Sequence, residues 1–188
     1  MKRPLSVLVV VAIATILAAP VSAEKRVALV IGNGAYRSVQ KLSNPPNDAA
    51  DMAAKLEGLG FSVTKLVDAD LAAMEKARVD FAREATGAAI RVFYYAGHGV
   101  QSDGTNWLLP VEAAIREDYE LKLKAFSAQA VLDALKAAGP GVNLVVLDAC
   151  RDNPFKTTSR SAGSSRGLAV MGTSGSPIVY STGPGSTA

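Results

Sequence analysis

The amino-acid sequence predicts an α/β fold in which a mostly parallel sheet carries helices on both faces. Three observations indicate it: apolar runs such as Arg26–Gly32 alternate with amphipathic helical segments, the links between them are short, and the apolar runs are almost uninterrupted. Strands without polar alternation are typical of a parallel sheet that is covered on both faces. Alternating strands and helices imply right-handed crossovers in such a sheet.

Residues 1–23 are predicted to be a signal peptide. Lys2 and Arg3 give a positive start, an apolar stretch runs from Leu5 to Ala18, and Val21-Ser22-Ala23 is a small-residue cleavage site. The apolar stretch is short for a membrane span, although an uncleaved N-terminal anchor is the alternative. We therefore expect an exported protein, periplasmic or secreted, with no stable membrane association after signal removal. Residues 24–188 would form one domain.

Composition argues against nucleic-acid binding. The formal net charge is +3, and Lys2 and Arg3 of the predicted signal peptide supply two of those charges. No basic stripe interleaved with aromatic residues is present. Gly32-Asn33-Gly34 follows the first apolar run, but the third glycine of a dinucleotide-binding fingerprint is replaced by Arg37. These glycines are therefore interpreted as a turn.

Four strands and three helices are predicted before the cysteine. A first helix capped by Asn47 or Asp48 ends at Gly58 and Gly60, and a turn or cap at Asp68–Asp70 precedes the second helix. Ser127 caps the third helix, which stops at Gly139-Pro140. The predicted strands are 26–32, 61–67, 90–95 and 142–148, the second helix is 71–85, and 115–126 is not assigned.

The last part of the chain differs in composition. Residues 157–176 are rich in Ser, Gly and Arg and are predicted to be a flexible linker. One more short strand is expected at 177–181, and no closing helix follows it. We therefore expect the C-terminal part of the domain to be truncated.

Two of the predicted strands each lead to a unique reactive side chain. The strand 142–148 leads to Cys150, the single cysteine, and the strand 90–95 leads to His98, the single histidine. Active sites of parallel sheets lie beyond the carboxyl ends of the strands. A thiol attacks as thiolate and needs a nearby base, and imidazole suits proton transfer at neutral pH. We interpret Cys150 and His98 as a catalytic pair; the alternatives are a buried structural cysteine and a structural histidine.

The glycines beside His98 also suggest a role. Gly97 and Gly99 allow the backbone to turn sharply at the strand end. The N–H of Gly99 is then expected to face a developing oxyanion, with the N–H of Cys150 as its partner.

The motifs Tyr94–Gly99 and Asp148–Arg151 resemble the two catalytic motifs of the caspase-like cysteine peptidases, family C14, in the metacaspase or bacterial orthocaspase branch. His98 precedes Cys150 by about 50 residues, the offset that caspases show. The resemblance runs from Arg26 to about Ser181. It implies a caspase-hemoglobinase three-layer sandwich and an endopeptidase in which Cys150 forms an acyl-enzyme and His98 is the acid–base catalyst.

The resemblance also implies a specificity. Asp148 and Asp48 match acidic pocket positions of metacaspases, which cut after Arg or Lys, and paired carboxylates would select a guanidinium or ammonium group. The expected partner is therefore a peptide or protein with a basic residue before the scissile bond. Asp48 as a helix cap and Asp148 as a partner of Arg151 are the alternatives. Many metacaspases have Ser where this chain has Ala96, so one pocket contact is absent.

No metal or other cofactor is predicted. Some metacaspases need calcium, and Glu117 and Asp118 lie where part of that acidic cluster would be, but calcium requires six or more oxygen ligands and the full set is not visible. Lys156, Arg160 and Arg166 are candidate sites of self-cleavage. The competing functions are a non-catalytic caspase-fold binding or scaffold module and a cysteine hydrolase that acts on small amides.

Overall fold

A seven-stranded sheet forms the centre of the computed structural model, which describes residues 24–150 and 178–180. Five strands are parallel in the order β2-β1-β3-β6-β7. The last part of β3 pairs antiparallel with β4, which in turn pairs antiparallel with β5. The strands are β1 Arg26–Gly32, β2 Ser62–Val67, β3 Ile90–Ser102, β4 Thr105–Leu108, β5 Phe126–Ser127, β6 Val142–Cys150 and β7 Ile178–Tyr180. The described part of the chain thus confirms the predicted mostly parallel sheet.

Helices cover both faces of this sheet, as predicted. They are α1 Pro45–Gly58, α2 Leu71–Ala85, α3 Leu121–Lys124 and α4 Ala128–Ala137, with a 3₁₀ turn at Asp118–Glu120. Val30 and Tyr94 face α1, whereas Leu29 and Phe93 face α2 and α4. Successive strand residues point to opposite faces, so each buried strand supplies both apolar layers. Among the described helices, none has the length and apolar character that crossing a membrane requires.

The helix limits follow local chemistry. Helix α2 has the predicted limits, and the Asp70 carboxylate caps it by accepting the N–H of Ala73 at 2.8 Å. Helix α1 begins earlier than predicted, at Pro45, with Asn44 in the capping position. Proline suits a first helical turn because it has no N–H to leave unpaired and its φ is already helical. Asp48 therefore lies within the first turn, and the interpretation of Asp48 as the helix cap was wrong.

Strand β3 is longer than predicted. It continues through Gly97, His98 and Gly99 to Ser102, and its last four residues pair with β4. Asp103 and Gly104 connect the two strands with φ values of 50° and 73°, the positive values that a tight hairpin requires. The expectation of a sharp turn at His98 was therefore wrong, because an Asp-Gly hairpin further along carries the reversal.

Arg91 ties the helices to the sheet at the end remote from His98. Its side chain is fully buried and donates to the carbonyls of Ala85, Gly139 and Pro140 at 2.8 to 2.9 Å. These carbonyls lie at the C-terminal end of α2 and just after α4. Carbonyls at a helix C-terminus lack intrahelical partners and attract cations. The buried guanidinium is thus satisfied by neutral acceptors.

Candidate active site

The sheet brings the predicted nucleophile and base side by side. Strands β3 and β6 run parallel, and their register pairs His98 with Cys150 as the final pair. Neighbouring strands lie about 4.8 Å apart. The two residues that the sequence analysis paired are therefore adjacent along the main chain of neighbouring strands. The side chain of Cys150 lies outside the described part of the structure, as does Arg151.

The imidazole of His98 is buried and bound at one nitrogen. Only 6% of the residue is exposed. Its Nε2 lies 2.8 Å from the main-chain oxygen of Gln40, while Nδ1 has no hydrogen-bond partner among the described residues. Because a carbonyl can only accept, we assign the proton to Nε2, which leaves Nδ1 with a free lone pair. Nδ1 is thus the nitrogen that can take up a proton.

The environment of His98 favours the neutral imidazole. Burial lowers the pKa of His98, and the hydrogen bond to the carbonyl of Gln40 opposes this effect in part. A buried imidazole away from carboxylates loses more on charging than one in water. The ring therefore remains neutral, and able to act as a base, at pH values where an exposed histidine is partly charged.

Two tyrosines contact the main chain of His98. The N–H of His98 donates to the Tyr36 hydroxyl at 2.8 Å, and the Tyr95 hydroxyl donates to the His98 carbonyl at 2.8 Å. The ring of Tyr36 also lies against the imidazole, with 4.6 Å between ring centroids. Both tyrosines are at most 1% exposed. Tyr36 was not predicted from the sequence, and Tyr95 was predicted only as a member of the Tyr94–Gly99 motif.

The direction of the Gly99 peptide follows from its neighbour. The N–H of His98 meets Tyr36, and its carbonyl accepts the N–H of Leu109 at 3.0 Å, so the polar groups of His98 face the side of β3 that carries β4. Successive strand residues direct their peptide groups to opposite sides. The N–H of Gly99 therefore faces the side of β3 on which β6 ends at Cys150.

Asp48 and Asp148 line one cleft next to this pair. The cleft has a volume of about 350 Å³, and Ala96 and Gly97 of β3 also line it. The remaining lining residues are Asp48 and Pro45 of α1, Asp148 of β6, and Gln40, Lys41, Leu42, Ser43 and Asn44 of the preceding loop. Both carboxylates that were predicted from the sequence thus line the same cleft. Lys41 is a cation in its lining that was not predicted.

The charges in this cleft influence each other. Burial raises the pKa of Asp48, and the negative charges of Asp148 and Asp51 raise it further. The Tyr94 hydroxyl lies 3.4 Å from Oδ2 of Asp148. Burial, with the charges of Asp148 and Asp48, raises the pKa of Tyr94 well above its usual range. Burial and nearby negative charges raise the free energy of the ionised carboxylates in this site, so a cationic group would bind there favourably.

Glu117 takes part in a local helix cap, and Asp118 is the first residue of the 3₁₀ turn that follows it. The side chains of Glu117 and Glu120 form a reciprocal capping box around the 3₁₀ turn. The Glu120 carboxylate also pairs with Lys124 at 2.6 Å, and these contacts lower the pKa of Glu120 to about 2. Within residues 24–150 and 178–180, no group of three or more His, Cys, Asp or Glu side chains could hold a metal ion.

Several predicted features fall on residues outside those described. They are the signal peptide 1–23, the linker 157–176 and the candidate self-cleavage residues Lys156, Arg160 and Arg166.

Comparison with known proteins supports the sequence interpretation. A family model described as a caspase domain matches residues 25–188. The chain is 32% identical over 129 residues to mucosa-associated lymphoid tissue lymphoma translocation protein 1 of Homo sapiens, covering 69% of this chain and 15% of that protein. The Mus musculus homolog is 31% identical over the same lengths. The chain thus spans about 15% of the length of these relatives.

Two solved structures have a similar fold. The Drosophila initiator caspase Dronc superposes with a TM-score of 0.54 at 10% identity, covering 82% of this chain and 54% of that chain. A protein of Geobacter sulfurreducens has a TM-score of 0.51 at 24% identity, covering 67% of this chain and 50% of that chain. At these identities the likeness concerns the fold alone, and it confirms the predicted caspase-like sandwich.

Proposed function

This chain belongs to the caspase-domain family of cysteine peptidases, and from that membership we propose that it is an endopeptidase with a Cys150–His98 dyad. The observation that carries the proposal is the pairing of His98 with Cys150 in the register of β3 and β6. Nδ1 of His98 supports it, because this nitrogen has no hydrogen-bond partner among the described residues and a catalytic base needs a nitrogen that can accept a proton. The metacaspase or orthocaspase branch remains a prediction.

The proposed reaction has two stages. Nδ1 of His98 takes the proton of the Cys150 thiol, and the thiolate sulfur bonds to the scissile carbonyl carbon. The oxyanion of the tetrahedral intermediate accepts hydrogen bonds from the N–H groups of Gly99 and Cys150. The imidazolium then gives its proton to the leaving amine as the C–N bond breaks. In the second stage, His98 takes a proton from water, whose oxygen attacks the thioester and releases the carboxylic acid and the thiol.

We place the basic side chain of the substrate in the cleft of Asp48 and Asp148. The two carboxylates face one cavity of about 350 Å³, large enough for a guanidinium group. A cation there would offset both the burial and the repulsion by Asp148 that raise the pKa of Asp48. Arginine can bind a carboxylate through two parallel hydrogen bonds, whereas lysine provides a point charge. Cleavage after Arg or Lys is therefore the proposed specificity.

Turnover of fluorogenic peptides that end in Arg, Lys or Asp tests this function. We expect cleavage after Arg or Lys by the wild-type chain, and none by Cys150→Ala or His98→Ala. Cleavage after Asp would overturn the cleft assignment. Absence of turnover with all three peptides would favour the non-catalytic binding module, whereas turnover of small amides alone would favour the other cysteine hydrolase.

Export and self-processing extend the proposal. The sequence pattern of residues 1–23 supports export, and the basic residues Lys156, Arg160 and Arg166 would suit the acidic cleft. We expect the wild-type chain to be clipped at one or more of these residues, and Cys150→Ala to stay intact. Clipping of Cys150→Ala at the same bonds would exclude self-cleavage. N-terminal sequencing of the exported protein would locate the signal cleavage, expected after Ala23.

A further inference from the structure

The main-chain N–H and carbonyl of His98 are each hydrogen-bonded to a tyrosine hydroxyl. The N–H donates to the Tyr36 hydroxyl at 2.8 Å. The Tyr95 hydroxyl lies 2.8 Å from the His98 carbonyl oxygen and 3.0 Å from that of Leu109. The two hydroxyl oxygens are 3.1 Å apart. The main-chain N–H and carbonyl of His98 thus both contact tyrosine side chains, and these two tyrosines are distant from each other in sequence.

One proton arrangement closes these contacts into a ring. Each hydroxyl has one proton. The Tyr95 hydroxyl can donate to the His98 carbonyl at 2.8 Å or to the Leu109 carbonyl at 3.0 Å, and the contact with His98 is the shorter. The Tyr36 oxygen accepts the His98 N–H and lies 3.1 Å from the Tyr95 oxygen, so the Tyr36 hydroxyl can donate to Tyr95. When Tyr95 donates to His98, the bonds form a closed ring from the His98 N–H through Tyr36 and Tyr95 to the His98 carbonyl.

Gly97 shows how closely this ring is packed. A Cβ atom at position 97 would lie 2.5 Å from the Tyr36 hydroxyl oxygen and 2.7 Å from that of Tyr95. It would also lie 3.0 Å from the carbonyl oxygen of Asn33. Contacts under 3.0 Å are not tolerated between a carbon atom and a hydroxyl oxygen held on both sides. A residue with a side chain before His98 would therefore push the two hydroxyls apart.

We infer that Tyr36 and Tyr95 are positioning residues, which align His98 through its main chain and not through its reactive nitrogens. This inference rests on the proposed function, in which His98 is the base. Among the described residues the imidazole makes one hydrogen bond, from Nε2 to the main-chain oxygen of Gln40, and that bond alone would allow the ring to rotate. The hydroxyl ring fixes the Cα position, and the Tyr36 ring at 4.6 Å limits rotation of the imidazole. Together they direct Nδ1.

Tyr36→Phe and Tyr95→Phe test the inference, since each removes a hydroxyl and keeps the ring. Tyr119→Phe is the matched control, because Tyr119 is 72% exposed. We expect kcat to fall by about 10-fold to 100-fold in the two buried variants, with KM within about twofold of wild type. The control should retain wild-type kcat. An unchanged kcat in folded Tyr36→Phe, or a rise in KM alone, would overturn the inference.

The single histidine gives a readout that does not depend on peptidase activity. Histidine-selective labelling yields one set of ring signals, whose pH titration reports the pKa of His98. We expect this pKa to move up towards 6.5 in Tyr36→Leu, which removes the aromatic ring packed against the imidazole, and to stay at the wild-type value in Tyr119→Phe. An identical titration in all three proteins would contradict positioning. If the wild-type chain hydrolyses no peptide, the proposed function fails, and this titration still decides whether Tyr36 holds the ring.

The wild-type chain provides a test even where a variant does not fold. Selective labelling gives one histidine amide signal, whose hydrogen exchange can be followed alone. The hydroxyl ring requires strong protection of this amide, comparable to that of the buried strand residue Phe93. Exchange of the His98 amide as fast as that of an exposed amide would exclude the ring.

Discussion

The carboxylates of Asp48 and Asp148 line the same cleft, one from the first turn of α1 and the other from the end of β6, and burial together with the charge of Asp148 raises the pKa of Asp48. Two carboxylates that share a site cannot both ionise without cost, and a cation between them removes that cost. The cleft thus has a negative charge that favours binding of a cationic ligand.

Neutralising either carboxylate should weaken cleavage after Arg. Asp48→Asn and Asp148→Asn each remove a charge-assisted hydrogen bond worth about 1.5–3 kcal/mol, so kcat/KM should fall by about 10-fold to 100-fold. Asp51→Asn is the matched control, because Asp51 lies on the same helix, is exposed and does not line the cleft. Peptide kinetics with an Arg substrate measure the change. An equal loss in Asp51→Asn would indicate a general charge effect.

As the pH falls, substrate binding should begin to weaken at a higher pH than it would if Asp48 had the pKa of an ordinary aspartate. Because the pKa of Asp48 is raised, its carboxylate gains a proton earlier as the pH falls, and the KM for an Arg peptide should rise from that point. In Asp148→Asn the neighbouring charge is gone, so the remaining rise in KM should move to lower pH. The pH dependence of KM in both proteins checks this, and a rise displaced to higher pH in the variant would contradict it.

The imidazole of His98 should titrate below its usual value. Burial lowers the pKa of His98, so the neutral form should persist below the reference pKa of about 6.5. In the proposed mechanism the neutral ring is the base, so kcat/KM should rise with pH through this lowered pKa. Nuclear magnetic resonance of the single histidine measures it directly. A midpoint above 6.5 would instead indicate an imidazolium that a nearby anion stabilises.

Arg91→Met should destabilise the fold. The variant removes the donor that the buried guanidinium provides to the carbonyls of Ala85, Gly139 and Pro140, and a hydrogen bond to a charged group contributes about 1.5–3 kcal/mol. We expect a loss of at least about 3 kcal/mol in the free energy of unfolding by urea denaturation. Arg83→Met is the control, since its side chain is 76% exposed, and it should stay within about 0.5 kcal/mol of wild type.

Gly97→Ala should lower both activity and stability. Its φ of 151° is strained for a residue with a side chain, and the added Cβ would meet two hydroxyls at 2.5 and 2.7 Å. Gly58→Ala is the contrasting variant, because nothing lies within 4 Å of its Cβ position in α1. There alanine should raise the free energy of unfolding by up to about 1 kcal/mol. Thermal unfolding and peptide turnover measured together distinguish the two sites; wild-type behaviour of Gly97→Ala would contradict the close packing.

The sequence predicted the sheet well because its evidence is local. An unbroken run such as Val27 to Ile31 is buried in any register, and Asp70 before α2 has the chemistry of a cap. The extension of β3 past His98 was missed because the glycines suggested a turn there. The true hairpin signal was the Asp103-Gly104 pair, whose positive φ values reverse the chain.

The predicted site residues came from two sources, the unique side chains of the sequence and the family resemblance. His98 and Cys150 are the single histidine and cysteine, and the resemblance supplied Asp48 and Asp148. The carbonyl of Gln40 could not be predicted, because a main-chain oxygen carries no residue-type signal. Tyr36 was missed because its contact with His98 joins distant parts of the chain, which only the packed β1–α1 loop brings together.

The short connection from β1 to α1 holds three functions at once. It carries Tyr36, which binds the main chain of His98, Gln40, which binds the imidazole, and the residues from Lys41 to Asn44, which line the acidic cleft. The same loop therefore positions both the substrate-binding cleft and the proposed base. Altering the length of this loop would move the base whenever it reshaped the cleft, so in this fold a new specificity gained by loop exchange would be coupled to a change in turnover.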